Sequence, residues 1–413
     1  MRIAYITAQI PWGRGETFIL EEMLEMKHQG IDLLIIPRNP SKEIFHKEAK
    51  ELLENSIWLP MLNLTMIAGF FLELFSNISL WRVLWKILVN SRNPKILIKN
   101  IMVVPKAVFI AKEIKKTGVS HVHAHWGSTT ATTAYIISQI TNIPWSFTLH
   151  RWDIYENNML EEKVRSACFV RCISKKGKAD LLGIIGNEYV DKVQVVHIGV
   201  RMRSADKASI AARYYNWGAP SKKFRFIVPA NLLPVKGHEY LIEGVCLLLQ
   251  NGLKNFHVFF YGDGPLKGSL EEQIHRKGLE EYIKMAGAIP HNILIDMYKS
   301  GSVDVVILPS INTEDGQHEG IPVALMEAMS YGIPVISTNT GSISELLSDG
   351  AGILVKEKSA NELAMVLLDL VNNKNIASSL AIKGYEKVRK EFEIEKTTQM
   401  LLQLVLRRKA NSM

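Results

Sequence analysis

The sequence predicts an α/β protein of two domains, each a parallel sheet covered by helices. Short β-branched apolar runs alternate with amphipathic stretches from end to end, which is the pattern of strand and crossover helix. The length supports it too: 413 residues, 47% hydrophobic and 22% charged, can bury two separate cores.

In order, RIAYIT, ETFILEEMLEMKHQG and IDLLIIP read as a strand, a helix ending at Gly30 and a second strand. VSHVHAHW, IPWSFTLH, ACFVRCIS and VQVVHIG supply further strands of the first half. FRFIVPAN, FHVFFYGDG, YIKMAGAI, VDVVILPS and IPVISTN supply those of the second. Between them residues 200–222 are polar and basic, with Gly218 and Pro220 as chain breakers, so the domain break is expected there. We take 1–205 as the first domain, 206–388 as the second, and 389–413 as a C-terminal helix packing back on the first.

The net charge of +8 favours an anionic partner without choosing its kind. Nucleic acid is not expected, since the basic residues scatter and no helix-turn-helix, zinc-finger or RNA-recognition pattern occurs. Three cysteines, Cys168, Cys172 and Cys246, make no disulfide framework and fit a reducing cytoplasm. The N-terminus reads as a buried strand and not as a leader. The uncharged stretch 56–72 is broken by Pro60, Asn63 and Thr65 and falls short of the roughly 20 residues a bilayer span needs.

The segment 56–110 departs from the alternation: it is rich in Leu, Ile, Trp and Phe, with Arg82, Lys86, Arg92, Lys95, Lys99 and Lys106 interspersed. WRVLWKILVN puts Trp81, Leu84, Trp85 and Leu88 on one helical face, which suits either core packing or an interfacial helix among anionic head groups.

Three stretches carry chemistry. In EDGQHEGIPVALMEAMSYGIPVIST, residues 314–338, a polar loop leads into a helix with Pro322 in its first turn and Gly332 as its stop. Such a strand-loop-helix unit aims unpaired amides and the positive end of the helix dipole at an anionic group above the sheet edge. Glu319 then lies just before the helix and Glu327 about two turns along, where carboxylates can accept hydrogen bonds from vicinal hydroxyls. The plainer alternative makes Glu319 a helix cap and Glu327 a satisfied core acid. In VPANLLPVKGHEYLIEG, residues 228–244, a strand-loop-helix places Lys236 where a cation can neutralise a leaving diphosphate, though a surface lysine looks the same in sequence. In FFYGDGPLKGSLEE, Gly262, Gly264 and Pro265 turn a strand tightly into a helix and allow close backbone approach to a ligand. No Gly-x-Gly-x-x-Gly or Walker loop occurs, which argues against dinucleotide redox chemistry and ATP hydrolysis.

The order of a Lys-Gly loop, GDGP, LPS and EGIPVALMEAMSYGIPVIST resembles the donor-binding domain of glycosyltransferase family 4. PWGRGETFILEE, VHAHWGSTTATTAY and IPWSFTLHRWDIY are similar to acceptor-domain motifs of the bacterial members that build exopolysaccharide, the colanic acid type included. The resemblance covers nearly the whole chain. It implies the GT-B fold, two Rossmann-like domains facing across a central cleft, and retaining transfer of a sugar from a nucleotide-diphosphate sugar to a saccharide or lipid-linked acceptor.

By the same resemblance Glu319 and Glu327 serve the donor sugar and the nucleotide ribose, and Lys236 supports the departing diphosphate with amides near Gly320, Ile321 and Val323. Asn231, Gly262 and Gly264 belong to the donor side as well. His150 is expected beside the transferred sugar, and Gly13, Arg14, Gly15, Glu16, His125, Arg151 and Asp153 on the acceptor side. One departure is clear: the family has an arginine five residues before the lysine, and here that position is Asn231. Arg14 and Arg151 are candidate substitutes.

His121, His123 and His125 alternate like metal ligands but have no carboxylate or cysteine nearby in sequence, and no Asp-x-Asp occurs. No metal and no cofactor are expected, the nucleotide sugar being a substrate. The implied site is cytoplasmic, at the inner face of the cell membrane, with peripheral association through 56–110. Rival readings keep the fold but make the protein a nucleotide-sugar epimerase, a phosphorylase, or a non-catalytic partner that binds donor or glycan.

Overall fold

A computed structural model describes residues 1–13, 16–219, 221–314, 316 and 318–410. The chain forms two compact units, Met1–Gly199 with Ile394–Met413, and Val200–Glu393.

In the first unit the strands are β1 (Arg2–Thr7), β2 (Asp32–Pro37), β3 (Val119–His125), β4 (Trp145–Leu149), β5 (Phe169–Cys172) and β6 (Val193–Val195). They lie in the order β2-β1-β3-β4-β5-β6, every pair parallel. The reason is compositional: runs such as LLIIP and SFTL are buried at each position, so both sheet faces need cover. One face packs Ile6, Ile36, Val122 and Phe147 under the helices of 64–141. The other packs Ile3, Tyr5 and Ile35 beneath helix Thr17–His28 and the C-terminal helix Ile394–Ala410, which contributes Leu401, Leu402 and Val405. Where the chain re-enters this unit, a Cβ on Gly199 would stand 2.4 Å from the Ile394 Cα, a separation only glycine permits.

The second unit repeats the plan with β7 (Phe224–Pro229), β8 (Phe256–Tyr261), β9 (Ile283–Met285), β10 (Val305–Leu308), β11 (Val335–Thr338) and β12 (Ile353–Val355). Their order is β12-β11-β10-β7-β8-β9, again parallel throughout. Phe224, Phe226 and Phe256 stack through its core. Strand β12 escapes the sequence reading because it is a three-residue edge strand, only partly buried.

In each sheet the chain builds outward on one side of a central strand and then crosses to the other. The switch points fall between β1 and β3 and between β7 and β10. The carboxyl ends of strands at such points leave a crevice that receives ligands in open α/β sheets.

Segment 56–110 holds helices Leu64–Ser76 and Ile78–Asn90 and most of Pro94–Ile114. Leu80, Val83 and Ile87 face the core. Trp81, Leu84, Trp85 and Leu88 instead line an open apolar groove of about 440 Å³ with Phe70 and Ile101. Half of the basic residues singled out there are used internally. Lys106 is buried and donates to the carbonyls of Pro37, Arg38 and Leu59, Lys86 pairs with buried Glu162, and Lys99 pairs with Glu156. Among the described residues no single helix is long and apolar enough to cross a membrane.

Candidate functional site

The carboxyl edge of the second sheet is organised by close backbone approaches. After β7 the chain makes a short turn, Pro234–Lys236, and Gly237 takes φ +63°. A Cβ there would meet the Pro309 carbonyl oxygen at 2.1 Å, and the Ile311 amide donates to the Val235 carbonyl at 2.9 Å. The lysine loop is thereby fastened to the loop that follows β10. Lys236 and Glu319, with side chains 19% and 13% exposed, form an ion pair across this junction.

The next helix runs Val323–Ser330 with Pro322 as its N-cap, so Glu327 lies about one turn inside it and not two. The correction follows from proline, which stands outside the first helical residue instead of in it. Gly320, Ile321 and Val323 are half-buried along the approach to this N-terminus, where unpaired amides and the dipole suit an anion. Glu327 Oε1 sits 2.8 Å from His291 Nε2, on helix His291–Ser300. His291 is missing from the sequence reading because nothing links it to Glu327 except the fold.

Gly262 and Gly264 follow β8. Added Cβ atoms would come within 2.0 Å of the Ala230 carbonyl oxygen and 2.6 Å of that of Leu232, so both glycines are required by packing of the protein on itself. Asn231 is exposed at the start of the same lysine loop.

In the first unit, His125 closes β3 and His150 follows β4. Their Nε2 atoms are 2.8 Å apart. The Trp126 ring lies 4.2 Å from that of His150, and Phe18 packs at 5.3 Å. Burial, with Arg171 nearby, pushes the His150 pKa down to about 3, and burial holds His125 well below the ordinary imidazole range. Asp153 accepts the His150 amide at 3.0 Å in the first turn of helix Arg151–Glu156. Burial raises its pKa to about 7, against the amides of Gly127 and His150. Arg151 lies over the Tyr155 ring at 5.1 Å.

Glu16 accepts the amides of Gln9 and Ile10 at 2.9 and 3.1 Å and the indole N–H of Trp126, so its carboxylate shapes the loop after β1. A Cβ on Gly13 would stand 2.6 Å from the Gln9 Cβ. Arg14 and Gly15 lie outside the described residues. His121 and His123 share the Ser146 hydroxyl at 2.7 and 2.8 Å, and His123 also meets Thr148 at 2.9 Å, so they are core imidazoles with hydroxyl partners. Among the described residues no group of three or more His, Cys, Asp or Glu is placed to hold a metal ion.

Residues 215–387 match the family described as Glycosyl transferases group 1. The chain is 34% identical over 217 residues to a protein of Salmonella typhimurium named as a colanic acid biosynthesis glycosyltransferase, WcaL, covering 52% of this chain and 51% of that one. It is 32% identical over 203 residues to the amylovoran biosynthesis glycosyltransferase AmsK of Erwinia amylovora, covering 49% and 47%. The chain thus matches about half the length of these relatives. Among solved structures, a glycosyltransferase from Rickettsia africae superposes with a TM-score of 0.69 at 20% identity, covering 99% of each chain. HepE of Anabaena in complex with UDP-glucose gives 0.67 at 17%, covering 98% and 99%. The chain has the GT-B fold, and its residues 215–387 match the Glycosyl transferases group 1 family.

Proposed function

We propose that the protein is a retaining, metal-independent glycosyltransferase. It moves a sugar from a nucleotide-diphosphate sugar to a hydroxyl of a growing, lipid-linked saccharide in the synthesis of a bacterial surface polysaccharide. The observation that carries this reading is the Lys236–Glu319 ion pair at the switch point of the second sheet, with Glu327 one turn into the following helix. Solved neighbours that hold UDP and UDP-glucose support the donor class, and the relatives' names support the polysaccharide.

The residues divide the work by their chemistry. The Lys236 ammonium and the helix N-terminus at Val323 receive the diphosphate and stabilise its charge as it leaves. Glu319 accepts hydroxyls of the sugar, and Glu327 those of the ribose. The bond from the anomeric carbon to phosphate oxygen breaks while the acceptor oxygen bonds to that carbon on the same face. The acceptor proton passes to the departing phosphate oxygen, so no separate general base is needed. His150 is the polar group that the first unit offers to a sugar.

A thermal-shift panel of nucleoside diphosphates and nucleotide sugars, with UDP and UDP-glucose first, tests the donor assignment because specific binding raises the melting temperature. The same ligand should then be consumed in the presence of a lipid-linked glycan and of EDTA. No shift with any nucleotide, or activity abolished by EDTA, overturns the proposal.

We further infer peripheral association with anionic membrane at its cytoplasmic side. Phe75, 90% exposed, and Trp85, 64% exposed, stand on the two helices spanning 64–90 with Arg82, Arg92 and Lys95 exposed nearby, a composition suited to a head-group interface. Flotation with phosphatidylglycerol vesicles should carry the protein up and lose the Trp81→Ala/Trp85→Ala variant. Absence of flotation removes the inference.

A further inference from the structure

Beneath His150 runs a chain of buried hydrogen bonds whose direction can be worked out atom by atom. It starts at a buried ion pair between Arg171 and Glu22, 0% and 2% exposed. Arg171 Nη1 donates to Glu22 Oε2 at 2.6 Å, while its Nε and Nη2 donate to the carbonyls of Val196 and His197 at 2.8 and 2.6 Å. A carboxylate held in this way is an acceptor only. Its Oε1 therefore takes the single hydroxyl proton of Tyr5, at 2.7 Å.

Having given that proton away, the Tyr5 oxygen can only accept from His125 Nδ1, 2.8 Å distant. His125 is fully buried and neutral, so a proton on Nδ1 leaves Nε2 bare. The contact at 2.8 Å between the two Nε2 atoms then requires the proton to sit on His150. Trp126 and Phe18 pack against the His150 ring beside this bond.

We propose that Arg171, Glu22, Tyr5 and His125 are positioning residues that lock His150 as its Nε2–H tautomer, leaving Nδ1 as the acceptor that caps the Asp153 backbone N–H of helix Arg151–Glu156 and so holds the ring at the proposed sugar site. The proposal rests on the reading of His150 as a substrate contact. Reversing any one link reverses all that follow, because every atom between the ion pair and His150 has one proton to place. The buried charge of Glu22 thus sets hydrogen-bond direction at a ring it does not touch.

Glu22→Gln makes the sharpest test. Arg171 must face the new side chain's oxygen, which turns its NH₂ group toward Tyr5. Tyr5 then donates to His125 Nδ1, His125 carries its proton on Nε2, and His150 is driven to the Nδ1–H form, which breaks its cap on the Asp153 amide. The full-length protein with ¹⁵N-labelled histidine reports this directly through its two-bond imidazole correlations, with His150→Asn to assign the signals.

The wild type should show His150 protonated at Nε2 and His125 at Nδ1, and Glu22→Gln should exchange both. Tyr5→Phe, which breaks the chain without adding a donor, should give a mixture of tautomers and serves if the glutamine variant does not fold. Turnover of UDP-glucose should fall about tenfold in either variant, the size of one hydrogen bond, with UDP affinity unchanged. A wild-type His150 protonated at Nδ1, or a tautomer indifferent to both substitutions, overturns the proposal. Exchange of tautomers with unaltered turnover supports the lock and overturns instead the assignment of His150 to the substrate.

Discussion

Replacing Lys236 by methionine separates the ion pair that the geometry shows from the leaving-group role proposed above. In the free protein the ammonium compensates Glu319, whose side chain is only 13% exposed. Breaking a fully buried pair costs about 3–5 kcal/mol, and the partial exposure of both groups reduces that here to about 1–2 kcal/mol. In the proposed transfer the same ammonium receives the departing diphosphate. Loss of a hydrogen bond to a charged group is worth about 1.5–3 kcal/mol, or a fall in turnover of roughly 10- to 150-fold. The double variant Lys236→Met/Glu319→Gln removes the stranded carboxylate, so it should regain most of the stability and none of the activity. Urea denaturation measures the first quantity, and release of nucleoside diphosphate from the donor found by thermal shift measures the second. If the double variant recovers turnover along with stability, Lys236 only neutralises Glu319 and the leaving-group role is wrong.

Further outcomes follow from other parts of the molecule. Gly262→Ala would force a Cβ to 2.0 Å from the Ala230 carbonyl oxygen, backbone against backbone, and should lower stability by about 3 kcal/mol. Gly268→Ala, in helix Lys267–Arg276 with open space around it, should raise it by about 0.5–1 kcal/mol; equal effects in the two urea midpoints would contradict the packing argument. Acid should destabilise the protein. His121 and His150 are pushed down to about 3 from an unfolded value near 6.5, so below pH 6.5 the unfolded chain binds protons that the folded one refuses. That term amounts to on the order of 2 kcal/mol for one such imidazole at pH 5. Asp153, raised to about 7 from 3.8, works in the opposite direction over the same window but is a single group against six depressed histidines. Lys106 and Lys163, lowered to about 7, bind fewer protons above that value than in the unfolded chain and so act with the histidines. A urea midpoint that stays level between pH 7.5 and 5 would be inconsistent with this balance. Asn231→Arg supplies the guanidinium that the family places in this exposed loop, and should speed transfer by about one decade; a folded variant with unchanged turnover would mean that another cation already acts there.

The parallel sheets were legible because strands buried on both faces must be apolar at nearly every position, and that leaves a local signature in runs such as LLIIP and VVIL. Strand β12 left none: it is a short edge strand whose partial exposure asks little of its composition. The lysine loop, the GDGP turn and the two glutamates were visible for a similar reason, since each needs particular residues at adjacent positions. The tilt of one turn in the placement of Glu327 came from proline, whose fixed φ suits both the N-cap and the first helical residue.

Composition and local spacing therefore determined by themselves the class of fold and every strand but β12, while the resemblance to a known family supplied the reading of the donor-side motif and of Asn231. Only the tertiary structure decided the partners: Lys236 with Glu319, His291 with Glu327, and Tyr5 with a histidine 120 residues away. It also decided that Gly262 and Gly264 are held by the protein's own carbonyls, and that Trp81 and Trp85 face outward while Leu80 and Val83 fill the core. The reason is physical: a strand's burial is written in its own side chains, whereas a contact between loops depends on which strands become neighbours, and strand order is settled by the packing of the whole sheet.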